Sequence, residues 1–184
     1  MSKDFEWLKW VALFLVIGIV CAVVYFVPNK KNDQTSTQQI TEQKELSPDE
    51  AKRFATGLLK KINDDEKLIR DAYELKEEKT LEKYVLNDWN SYVQKPFSEV
   101  EEKMGYGHLY FPSSAVMYPY TSCDTAFTDL NLLANALYQQ VREDTATMRK
   151  IVRQEDADYL KSKNKCEERV GLTYEEALAA EEAE

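Results

Sequence analysis

From Trp10 to Val27 the chain reads WVALFLVIGIVCAVVYFV, eighteen residues without a charged or strongly polar side chain. No other stretch limits the fold so tightly. As a helix rising about 1.5 Å per residue it would be ~27 Å long, close to the hydrocarbon thickness of a bilayer. Trp7, Trp10, Tyr25 and Phe26 stand near its ends, where amphipathic rings favour the headgroup region, and Pro28 with Asn29-Lys30-Lys31-Asn32 stops it. A cleaved signal peptide has a shorter apolar core, and here Val20-Cys21-Ala22 lies inside the run; as a lipoprotein acceptor, Cys21 would follow the poorly suited Val20. The run therefore predicts an uncleaved single-pass anchor over residues 10–27, preceded by a stub at 1–9.

Lys3 and Lys9 on one side and Lys30 and Lys31 on the other nearly balance, so the positive-inside rule does not orient the span. A short stub before a long polar part is the layout of a signal anchor, which leaves the C-terminal part outside the cytoplasm. With Cys21 in the span, Cys123 and Cys166 remain as an even pair suited to one disulfide in an oxidising compartment. The expected location is the cytoplasmic (inner) membrane of a bacterium, with the soluble part in the periplasm.

Residues 28–47 contain only Ile40 and Leu46 as sizeable apolar groups and read as a flexible linker, because so polar a segment cannot repay its ordering entropy. Five glycines and five prolines in 184 residues leave too little punctuation for a sandwich or barrel. The fold class expected is all-α: the anchor, the tether, and an extracytoplasmic helical domain over 48–168, built as an antiparallel bundle of three or four helices with a long aromatic loop. Ser47-Pro48-Asp49-Glu50 carries the signals of a helix start, with an N-cap hydroxyl, proline at the first position and a capping-box glutamate. Ala51, Phe54, Ala55, Leu58, Leu59, Ile62, Leu68, Ile69, Ala72 and Leu75 then keep one apolar face, and Lys76-Glu77-Glu78-Lys79-Thr80 holds a turn. Leu81, Val85, Trp89, Tyr92 and Val93 make a second stripe, which Pro96 kinks or restarts before Phe97, Val100 and Met104 carry it to Gly105.

Neither Gly nor Pro occurs from Asp124 to Glu168. Phe127, Leu130, Leu133, Ala134, Leu137 and Val141 form one apolar stripe, and Met148, Ile151, Val152, Tyr159 and Leu160 another. A continuous helix would hold the two cysteines ~60 Å apart, whereas a disulfide needs Cα atoms within about 7 Å. The polar gap between the stripes is centred on Asp144 and Thr145, either of which can cap a new helix. A hairpin closed by Cys123–Cys166 is the favoured reading. Against it, neither Gly nor Pro marks the reversal, and the three- and four-residue spacing can be threaded through with Asp144 at a core position.

Charge argues against nucleic acid. Lys and Arg total 24 against 33 Asp and Glu, for a formal net charge of −9. Residues 167–184 hold seven Glu and one Arg, so residues 169–184 read as an acidic tail, with a short surface helix capped at Thr173-Tyr174-Glu175-Glu176. Catalysis has little support: the single histidine, His108, lies five residues from Ser113, but no orienting acid or oxyanion element is recognisable in the sequence. Two usable cysteines and one histidine match no zinc spacing, haem ligation by His108 with Met104 or Met117 lacks an attachment motif, and no phosphate-binding glycine motif occurs. The expectation is a protein that is not an enzyme and needs no cofactor or metal.

The segment from Gly105 to Tyr120 concentrates Tyr106, Tyr110, Phe111, Tyr118 and Tyr120 with His108 and Met117, stiffened by Pro112 and Pro119. Tyrosine offers large, partly polar contact area at low entropy cost, so these seven side chains are the candidate partner-binding residues; the competing reading is that the rings cover one end of the bundle. The arrangement of stub, span, polar tether and charged helical part ending in a cysteine-bearing helix resembles the inner-membrane spanins of phage lysis. The Pro- and Tyr-rich insert at 105–120 departs from a spanin's near-continuous coiled coil. The function expected is a membrane-anchored periplasmic protein-binding module: an accessory subunit, inhibitor or immunity-type protein of an envelope complex or secreted effector. The alternative is a spanin-like scaffold acting by oligomerisation.

Overall fold

A computed structural model describes residues 46–97 and 108–183. The span at 10–27, most of the linker at 28–47 and Tyr106 lie outside the described residues. No described helix is long and apolar enough to cross a membrane.

Helix α1 (Pro48–Glu74) starts where its sequence signals it. The Glu50 N–H donates to Ser47 Oγ (3.3 Å), and Glu50 Oε2 accepts from the Ser47 N–H (3.0 Å), a reciprocal capping box. Ala51, Ala55, Leu58, Ile62, Ile69 and Ala72 form its buried face. The helix ends in a Schellman arrangement: Lys76 takes φ 58°, its N–H donates to Tyr73 O (3.1 Å), and the Glu77 N–H donates to Ala72 O (2.8 Å). A non-glycine residue accepts this left-handed conformation at a cost of about 1 kcal/mol; here the Lys76 ammonium also lies 4.3 Å from the Tyr73 ring centroid.

The second stripe folds as one continuous rod, α2 (Glu78–Lys83), a π-helical turn (Tyr84–Asp88) and α3 (Trp89–Val93). Leu81, Val85, Trp89 and Val93 recur every four residues, and in a regular α-helix such a row drifts by about 40° per step. The π turn, in which the Trp89 N–H reaches back to Tyr84 O, corrects the drift and keeps the row on the core side. A kink or a restart is expected at Pro96; a restart would lie past Phe97, outside the described residues, and the rod itself does not bend through the proline. It stops after Val93, because proline lacks a donor and disfavours helical geometry in Lys95; the Phe97 N–H is bonded instead to Leu109 O at 2.9 Å. The expected continuation through Val100 and Met104 lies outside the described residues.

A 3₁₀ turn (Ala115–Tyr120) leads into α4 (Thr121–Arg142), the most deeply buried helix, whose Cys123, Ala126, Phe127, Leu130, Leu133, Ala134 and Leu137 meet the other helices. The chain reverses at Glu143–Thr145. Thr145 then caps α5 (Ala146–Gly171), its Oγ1 accepting from the Met148 N–H at 3.1 Å. The hairpin is antiparallel and Cys123–Cys166 closes it, with Cα atoms 4.7 Å apart. On α5 the buried residues are Tyr159, Cys166 and Arg169, while Ile151 and Leu160 are exposed. The apolar stripe expected there covers a narrower seam than its spacing suggests, because α5 is an outer helix.

The expected boundary at 168 falls inside α5. Residues beyond it are integral to the fold: Thr173 and Glu176 cap α6 (Tyr174–Glu182), Ala177 is buried, and Lys52 Nζ donates to Leu172 O at 2.6 Å. Arg169, only 2 % exposed, reaches Glu168 at 2.8 Å and Glu181 at 3.2 Å. Several glutamates of the expected acidic tail thus serve as caps and ion-pair partners. The described residues are helical and contain no strand.

Candidate functional site

The aromatic segment closes one end of the bundle. Tyr110 is 4 % exposed and its ring contacts Tyr92 (5.2 Å between centroids) and Phe127 (5.6 Å). Its hydroxyl donates to Asp124 Oδ1 at 2.5 Å, and His108 Nδ1 stands 3.3 Å from the same oxygen. Trp89 lies edge-on to the His108 ring at 5.2 Å and donates its indole N–H to Phe127 O at 3.2 Å. Burial, with the charge and hydrogen bond of Asp124, pushes the Tyr110 hydroxyl well above the ordinary tyrosine range, so it stays a neutral donor. The arrangement anchors the segment to α4 through the one carboxylate shared by Tyr110 and His108, and to α3 through the rings of Trp89 and Tyr92.

Of the seven candidate partner-binding residues, three point into the core: Tyr110, Met117 and Tyr120. They have almost no surface to offer a partner, because their side chains are part of the hydrophobic core between the helices. His108 and Phe111 are half-buried and Tyr118 is 48 % exposed; Tyr106 lies outside the described residues. The structure adds Phe97, which is 41 % exposed. Half-buried Phe54 meets the Phe97 ring at 5.4 Å and the Phe111 ring at 5.6 Å, so α1, the end of the rod and the aromatic segment bring three phenyl groups together at the surface.

His108 and Asp124 form the pairing that orients an imidazole, but among the described residues His108 hydrogen-bonds only to Asp124, and no hydroxyl or thiol is bonded to it. The arrangement fixes a ring and supplies no nucleophile. No cluster of three metal-ligating side chains occurs among the described residues.

Asp124, Trp89 and Phe97 were not readable as site residues. The carboxylate and the imidazole are sixteen positions apart on different elements, and Trp89 and Phe97 read as members of a core stripe. A hint lay in Phe97 following Pro96, since a proline-terminated helix leaves its next apolar residue at an end. No protein-family model, curated protein or solved structure matches the chain.

Proposed function

We propose that the chain is a membrane-anchored, periplasmic protein-binding module that works without chemistry of its own, as an accessory subunit, inhibitor or immunity-type protein of the cell envelope. The observation that carries this reading is the cluster of Phe54, Phe97 and Phe111, joined in one ring-to-ring row and left partly in water. A folded domain gains by burying such rings, and contiguous apolar surface of this kind marks sites of protein contact. The intrachain disulfide agrees with an oxidising compartment. The α4–α5 hairpin favours a self-contained binder over an elongated scaffold, since the long helix a scaffold would use is folded back on itself.

The test is photo-crosslinking in intact membranes from a full chain carrying a photoreactive residue at position 97 or 111. A discrete crosslinked product is expected at both positions, and not at exposed Leu75, the residue that follows the C-terminal end of α1. Phe97→Ala with Phe111→Ala should weaken capture ~30-fold, the effect of losing about 2 kcal/mol at an aromatic anchor. A detergent-solubilised chain captured equally well with both rings removed would refute the surface. Protection of a cysteine introduced at Lys150 from impermeant reagents in intact spheroplasts would refute the orientation.

A further inference from the structure

Helix α5 turns one side to water over most of its length. Lys150, Arg153, Ala157, Leu160, Asn164 and Glu167 follow one another at alternating steps of three and four residues, the spacing of a seam between two helices. All six are exposed, Leu160 by 40 %. A lone exposed leucine is ordinary on a protein surface. The order of charges about this one is not. Two cations, Lys150 and Arg153, stand N-terminal to it, the anion Glu167 stands C-terminal to it, and the midpoint of the stripe falls between Ala157 and Leu160. We propose that this face is a dimer contact, occupied by α5 of a second copy of the chain running antiparallel about a twofold axis.

In such a pair each residue meets the one equally far from the axis on the other helix, and symmetry makes every contact twice. With the axis crossing between Ala157 and Leu160, Leu160 packs over Ala157 of the second copy, where the small side chain leaves it room. Arg153 then faces Asn164, and Lys150 faces Glu167. A parallel pair would set Lys150, Arg153 and Glu167 each against its own charge, so electrostatics selects the antiparallel direction. The charged groups are available for these contacts. Among the described residues the side chains of Lys150 and Arg153 make no hydrogen bond or ion pair. Glu167 stands 3.6 Å from Lys163, which is already bonded to Glu66 at 2.7 Å. One helix face buries no more than about the 1,200 Å² of the smallest specific interfaces, so the dimer is a reversible, micromolar one.

The test is sedimentation equilibrium of the full chain in a zwitterionic detergent, followed across the micromolar range, where a monomer–dimer equilibrium is expected. Lys150→Glu and Glu167→Lys each set like charges face to face at both ends of the seam, and each should weaken the dimer roughly tenfold or more. An equimolar mixture of the two variants should regain the native association, because every swapped charge then meets its opposite on the other copy. Leu160→Ala should weaken the dimer about tenfold, the effect of withdrawing an aliphatic side chain from a contact. These residues are exposed in the single chain, so the variants should keep its circular dichroism and Tm. Phe97→Ala with Phe111→Ala should leave dimerisation unchanged, which separates this contact from the proposed protein-binding surface. A chain that stays monomeric throughout would overturn the proposal, as would charge-swap variants that each dimerise as tightly as the native chain, or a mixture that associates no more tightly than its components.

Discussion

Replacing Cys123 and Cys166 together by alanine should lower the unfolding free energy of the helical domain by about 4 kcal/mol. The bond joins residues 43 apart in sequence, and in the chain-entropy treatment a loop of that size restricts the unfolded chain by this amount. For a domain of this size the loss corresponds to roughly 15 °C in Tm. Both cysteines are fully buried where α4 meets α5, so the bond also fixes the register of the hairpin at the end away from its turn. Thermal unfolding of the double variant and of the native chain should give curves separated in the absence of reductant. Curves that coincide would mean that helix packing alone sets the register. Non-reducing peptide mapping should find Cys123 and Cys166 in one linked peptide pair of a single chain.

This bond was legible because geometry left two exclusive alternatives, one long helix or a hairpin. Local signals were legible for the same kind of reason: the Ser47, Thr145 and Thr173 caps each act within four residues, so their chemistry is complete in the sequence. Where the outcome depended on partners elsewhere, the sequence was ambiguous. Ile151 and Leu160 have helical spacing yet face water, since periodicity identifies an apolar face without saying whether another helix covers it. Tyr110 and Tyr118 belong to the same aromatic segment with opposite fates, one 4 % and the other 48 % exposed. Their order in the chain carries no sign for inward and outward outside regular structure. The glutamates after residue 166 read as a solvated run because Arg169, the cation that binds two of them, cannot be seen to be buried until α6 folds back.

The second large effect is expected at Glu66, a carboxylate 15 % exposed in the seam between α1 and α5. Its Oε2 accepts from Lys163 Nζ (2.7 Å) and from the Tyr159 hydroxyl (2.9 Å), its Oε1 accepts from Arg70 Nε (2.8 Å), and Arg70 continues to Asp156 at 2.7 Å. Burial by itself raises the affinity of Glu66 for a proton, but the hydrogen bonds from Lys163, Arg70 and Tyr159 outweigh it and hold the carboxyl below its ordinary 4.5. Glu66→Gln keeps the shape and removes the charge. It leaves Lys163, 16 % exposed, with only the more distant Glu167 at 3.6 Å, and should destabilise the domain by about 3 kcal/mol. Pairing Glu66→Leu with Lys163→Met removes both charges together and should cost much less, because no buried charge is then orphaned. A folded-state carboxyl held below its unfolded value contributes fully above the unfolded value and loses that contribution as the pH falls through the folded one. The gap in urea-unfolding free energy between the native chain and Glu66→Gln should therefore be widest near neutral pH and narrow progressively below 4.5. A gap that stays constant down to pH 3 would mean that shape and hydrogen bonding, not the charge on Glu66, hold α5 against α1.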